Sequence, residues 1–176
     1  MAEDLAIITG NKAEQYQSLI PQITGLLEGE PDLVANMANV VAALKEQFGW
    51  FWVGFYVVKP SPGFVTKEST TSDIHYRENE ELVLAPFQGP VACTRIKKGR
   101  GVCGSSWAQA KTLIVPEVEK FPGHIACSSL SKSEIVVPVI RHNKVVAVLD
   151  VDSDTYDQFD AIDKQYLEEI VDLLEF

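Results

Sequence analysis

Apolar residues recur at helical spacing over the first part of the chain and at strand spacing after it. Over 11–27 they fall on one side of a helix, interrupted by Pro21. A proline there removes a backbone donor and crowds the preceding turn, so a break or kink is expected. Pro31 suits the first turn of a second helix. Its apolar stripe is Leu33, Val34, Met37, Val40, Val41 and Leu44, and Gly49 is placed to end it. From Trp50 the pattern changes. WFWVGFYVV (50–58) is aromatic and β-branched, with a glycine inside, and reads as a strand. Residues 59–81 are polar and rich in Pro, Ser and Thr, a long loop. LVLAPFQG (82–89), a segment over 91–96 and TLIVPEV (112–118) are further strands, with a short helix opening near Cys103. SEIVVPVIR and KVVAVLDVD pair as a hairpin turning at His142-Asn143-Lys144. Asp160 caps a last helix, 161–174, with Ile162, Tyr166, Ile170, Val171 and Leu174 as its apolar face.

Helices, about six strands and a closing helix define an α+β fold with an antiparallel sheet packed by helices. At 176 residues the chain is expected to form one domain. Its parts are N-terminal helices (11–48), a sheet with its loops (50–152) and a C-terminal helix (160–175).

Charge narrows the function. A net charge of −10 argues against a general nucleic-acid binder or a protein that works on an acidic membrane surface. The N-terminus lacks the basic and apolar regions of a secretory signal, and no apolar run reaches the ~18 residues of a membrane span. A cytoplasmic location is expected. There, three cysteines, Cys93, Cys103 and Cys127, do not make a permanent disulfide framework.

The glycines of GRGVCG fit neither a phosphate-binding loop nor a dinucleotide fingerprint, and no nucleophile elbow is present. Zinc held by the cysteines and His124 is disfavoured, because no close CxxC pair exists. Thiol redox chemistry fits better, since a thiolate is both nucleophile and leaving group. Cys103 lies near a helix N-terminus, which favours a thiolate. Cys127 sits in the polar loop GHIACSSLSKSE (123–134) with His124 and Lys132, and Cys93 follows GPVA on an extended segment. On residue type alone, each is equally a small buried hydrophobe. The carboxylates give a second clue. Asp150 and Asp152 alternate in LDVDS and so share a strand face. The hairpin brings Glu134 to the same end. Such a cluster would attract a cation, calcium included, or would be only solvated strand-end charge.

Together GFY (54–56), LAPFQGPVACTRI (84–96), KGRGVCGSSWAQ (98–109), TLIVPEVEKFPGHIAC (112–127), SEIVVPV (133–139) and VLDVDS (148–153) resemble the free methionine-(R)-sulfoxide reductases, small stand-alone GAF domains. The resemblance implies a GAF-like, six-stranded antiparallel sheet with helices on its faces. It implies reduction of free methionine (R)-sulfoxide without a cofactor or metal, and a role in oxidative stress. It also implies a cysteine sulfenic acid, an intramolecular disulfide and recycling by thioredoxin. Cys127 takes the place of the attacking nucleophile and Cys93 that of the resolving thiol, with Cys103 as the competing nucleophile. Glu134, Asp150 and Asp152 match acidic substrate-site positions, and Trp52 and Tyr56 an aromatic wall. A homodimer is compatible with the family. The chain departs from the pattern in its long 59–81 loop, in Ala85 where glycine is usual, and in Ser128 after Cys127. The rival reading is a GAF module that senses a small ligand and uses its cysteines as redox triggers.

Overall fold

The computed structural model describes residues 4–61, 80–123 and 128–176. Most of the loop expected over 59–81, with His124 and Cys127, lies outside them. The strands are β1 (Trp52–Pro60), β2 (Glu80–Gln88), β3 (Arg95–Lys97), β4 (Leu113–Val115), β5 (Ser133–Arg141) and β6 (Lys144–Ser153). They form one sheet in the order β3-β2-β1-β6-β5-β4, and every pairing is antiparallel. The helices are α1 (Lys12–Leu27), α2 (Leu33–Phe48), α3 (Gly101–Gln109) and α4 (Ala161–Asp172). The α+β expectation and the β5–β6 hairpin are borne out. The strands expected over 91–96 and 112–118 are shorter than the sequence suggested, with three residues each in β3 and β4.

Strand alternation divides the molecule. Val53 and Phe55 of β1, Ile135, Val137 and Val139 of β5, and Ala147, Leu149 and Val151 of β6 pack beneath α1, α2 and α4. Trp52, Tyr56, Val136 and Val148 belong to a second cluster with Val102, Cys103 and Trp107 of α3. The three central strands are therefore apolar on both faces near their middle. Polar residues replace apolar ones only at one end of the α3 side.

Pro21 does not break α1, which continues through it to Leu27. Side-chain donors serve carbonyls around it: Gln22 Nε2 donates to Ser18 O at 2.9 Å and Thr24 Oγ1 to Ile20 O at 3.0 Å. Pro31 precedes α2 rather than opening it, because Asp32 is the N-cap and accepts from the Ala35 amide. Gly49 ends α2 as expected, at φ +67° with its amide bonded to Lys45 O. Two members of the expected stripes face outward, Val34 (59% exposed) and Ile162 (41%).

Where Ile162 was expected, α4 instead buries Asp163 completely. The Tyr16 hydroxyl of α1 donates to Asp163 Oδ1 at 2.9 Å, and Lys12 forms an ion pair with Asp163 and another with Asp160. This polar clamp joins α1 to α4 beneath the sheet. Tyr16→Phe keeps the ring, stacked on Tyr166 at 5.0 Å, but removes a donor from a buried carboxylate. The expected loss is about 1–3 kcal/mol. Urea unfolding should show a lower midpoint with an unchanged slope; an unchanged midpoint would mean the clamp carries no stability.

Candidate active site

The register of the central strands builds the site. Trp52 lies opposite Asp152, which lies opposite Glu134; one step along, Gly54 lies opposite Asp150, and Asp150 opposite Val136. Two rows of the α3-side face thus carry an aromatic ring and three carboxyls within two residues' length. α3 covers them and brings Cys103 down onto the row, its Sγ 3.9 Å from Glu134 Oε1. One ligating atom from each of Cys103, Glu134 and Asp150 lies within 4.8 Å of the others, and all three residues are buried. A cleft opens above them. Trp52, Tyr56, Cys103, Glu134, Asp150 and Asp152 line it, and Pro90, Val91, Arg100 and Ser128 stand around it.

Trp52 is held from three sides. Its ring stacks on Phe87 at 5.5 Å and on Tyr56 at 6.0 Å, and its Nε1 donates to Pro90 O at 3.1 Å. The indole also lies against two glycines. A Cβ on Gly54 would come within 2.6 Å of it, and so would one on Gly89. The glycine inside the aromatic strand therefore makes room for the ring.

The electrostatics follow from burial. Desolvation, reinforced by Asp150 and Asp152, pushes the Glu134 carboxyl well above its ordinary range. Desolvation and then the Asp152 charge do the same to Asp150. Asp152 is raised by desolvation to about 6, and the hydrogen bond from Ser131 Oγ restrains the rise. Cys103 was expected to gain thiolate character at the α3 N-terminus. The structure reverses this: burial, then the nearby Asp150 and Glu134 charges, push its thiol well up. A neutral S–H donating to Glu134 is the stable form.

The site thus unites Trp52, Tyr56, Cys103, Glu134, Asp150 and Asp152 as sequence suggested. Cys93 is half-buried beside the same apolar cluster and is disulfide-bonded; Cys103 is a free thiol. Cys127 falls outside the described residues. Sequence reasoning did not find Ser131 or the Gly54–Gly89 seat of Trp52. Only the glycine in WFWVGFYVV and the serines of SSLSKSE hinted at them.

Comparison with known proteins agrees with this architecture. The model of the GAF domain family matches residues 32–176. GAF domain-containing protein A of Dictyostelium discoideum is 61% identical, over 99% of each chain. Free methionine-R-sulfoxide reductase of Saccharomyces cerevisiae is 38% identical over 93% of this chain and 86% of its own. The solved free methionine-R-sulfoxide reductase of Neisseria meningitidis, in complex with its substrate, superposes with a TM-score of 0.83. It is 49% identical and covers 98% of this chain and 93% of its own. The sheet, the helices and the cleft between β1, β6 and α3 are those of a GAF domain. The chain belongs to that family, on the branch that holds the free methionine-R-sulfoxide reductases.

The raised carboxyl pKa values fix the sign of a pH effect. A group that holds its proton more tightly when folded favours folding at low pH. That contribution is lost as pH rises through the folded value. For Asp152 the window runs from about 4 to about 6, and for Glu134 and Asp150 it lies higher than their ordinary range. Asp150→Asn, with no charge to desolvate, should be more stable than the parent by about 1–3 kcal/mol at neutral pH, or ~2–10 °C in Tm. The gap should widen as pH rises. Thermal unfolding between pH 4.5 and 8 tests this; a gap independent of pH would show that Asp150 is not held protonated.

Proposed function

We propose that this protein reduces free methionine (R)-sulfoxide to methionine. The observation that carries the reading is the row of buried carboxyls facing an aromatic wall, beside a thiol and a disulfide-bonded Cys93. The names of the yeast and meningococcal relatives support it.

Trp52 and Tyr56 would take the methyl–sulfur end of the substrate. The carboxyls would divide two tasks. Asp152, the most easily ionised of the three, would hold the ammonium group. Glu134 or Asp150, kept protonated by burial, would give its proton to the sulfoxide oxygen as it departs. Cys127 is assigned as the nucleophile. Its thiolate attacks the sulfoxide sulfur; the S–O bond breaks and methionine leaves, so Cys127 becomes a sulfenic acid. Cys93 then attacks that sulfur and expels water, which leaves a disulfide for a thioredoxin-type dithiol to reduce. The high pKa of Cys103 supports Cys127 as nucleophile, because a neutral thiol is a poor one. Cys93 is disulfide-bonded, which supports its role as the resolving thiol. The reaction needs no metal or cofactor. A cytoplasmic reductant pool would suit it, and the whole chain would act as one domain.

Single-turnover release of methionine separates the cysteines. Cys127→Ser should give none. Cys93→Ser should give one equivalent and then stall with thioredoxin. Cys103→Ser should retain the first step. One equivalent from Cys127→Ser with none from Cys103→Ser would reverse the assignment of nucleophile.

The carboxyl row also sets substrate choice. N-acetylation turns the ammonium into a neutral amide and leaves a buried carboxylate unpaired. Losing one partner of such a pair costs about 2–5 kcal/mol, roughly 30- to several-thousand-fold. kcat/KM for N-acetyl methionine (R)-sulfoxide should fall by that factor, and Asp152→Asn should lose a comparable factor on the free amino acid. Equal turnover of the acetylated compound would show that the carboxyls do not read the ammonium. A ligand-sensing module would bind methionine sulfoxide but show no turnover with dithiothreitol.

A further inference from the structure

We propose that the Cys103–Glu134–Asp150 cluster is a binding site for a borderline-soft divalent cation, Zn2+ above all, which occupies the floor of the cleft and excludes substrate from it. Zinc held by three cysteines and His124 found no support in sequence spacing. The structure offers a different donor set. One sulfur and two carboxylate oxygens lie within 4.8 Å of one another, so small side-chain rotations bring them to the ~2.0–2.3 Å ligand distances of a tetrahedral ion. The fourth position would face the cleft and take water.

A second observation points to a missing ligand. Asp150 Oδ1 is buried without a hydrogen-bond partner, in a side chain only 6% exposed that lines the cleft. A buried carboxylate oxygen in that condition costs free energy until something positive or protic reaches it. No Lys or Arg is paired with these three groups among the described residues: the ion pairs there involve Asp160, Asp163, Glu81, Glu117 and Asp172. The cluster therefore gathers three acidic groups, kept protonated by burial, with no Lys or Arg paired to them among the described residues.

Donor type chooses the ion. Two carboxylates alone would suit Mg2+ or Ca2+, which prefer six or more oxygens. The Cys103 sulfur in a compact three-donor set selects Zn2+, Co2+ or Cd2+ instead. On binding, the metal takes the place of the Cys103 thiol proton and of the protons that burial keeps on Glu134 and Asp150; these pass to solvent, and a metal–sulfur bond replaces the S–H donation to Glu134. Reduction of a substrate that needs the same carboxyls would then stop reversibly.

Cobalt(II) is the probe. The fully reduced chain, without a histidine tag and under argon, should bind one equivalent of Co2+ with a thiolate-to-cobalt charge-transfer band. Zn2+ should displace the cobalt and Mg2+ should not. Cys103→Ser should lose the band, whereas Cys127→Ser and Cys93→Ser should keep it. Glu134→Gln and Asp150→Asn retain the sulfur, so they carry the test if the serine variant fails to fold. Each should weaken Co2+ binding roughly 10- to 100-fold or more. The proposal is overturned by a band that persists in Cys103→Ser or vanishes in Cys127→Ser. It is equally overturned by Mg2+ displacing cobalt, or by unaltered affinity in both carboxyl variants. The readout needs no turnover, so its failure leaves the reductase assignment standing.

Discussion

The cross-strand register of β1, β6 and β5 is the constraint on which the rest depends. A one-residue slip would move every side chain of a strand to the opposite face. Here it would drive Glu134 and Asp152 into the core shared by α1, α2 and α4, and turn Val151 and Ile135 toward the cleft. The register is fixed because the helix side is packed without interruption: Ile135, Val137, Leu149 and Val151 are fully buried. The polar rows on the other face are stable in position because their neighbours two residues away have nowhere else to go. The apolar core thus specifies the site without touching it.

That dependence explains what could be read from sequence. The alternation in SEIVVPV and VLDVDS announced both the strands and the shared face of the three acids, because a period of two is written directly in residue order. The caps Asp160 and Gly49 were legible for the same reason, each acting through its own backbone. What escaped notice depends on partners distant in sequence. Asp163 looks like a solvent-facing residue of α4 until Tyr16, 147 positions away, is placed against it. Pro21 looks like a break until Gln22 and Thr24 are seen to serve nearby carbonyls. The expected ease of ionising Cys103 failed similarly. Its place near the helix N-terminus was read correctly, but burial, and after it the charges of Asp150 and Glu134, outweigh the backbone amides.

Those carboxyls are poorly arranged for stability. Three acidic side chains are gathered on two rows beneath a helix, with one oxygen unpartnered. Proteins accept such arrangements where function needs them and recover the stability elsewhere. The recovery here lies on the opposite face, where the aromatic packing of Tyr16, Phe48 and Trp50 and the Lys12–Asp163 clamp tie the helices together. The molecule thus has one face that holds it together and one that is left electrostatically incomplete.

The incomplete face also explains why two thiols of similar chemistry would have different work. A thiolate at Cys103 would place a negative charge among buried carboxyl oxygens within 4.8 Å of its sulfur, so its proton stays on unless a cation arrives. A nucleophile placed there would ionise only after the site had been neutralised. On that ground the nucleophile is proposed at Cys127 rather than at Cys103. In the proposed reaction a free amino acid brings both the ammonium charge that would complete the floor and the sulfoxide sulfur to be reduced.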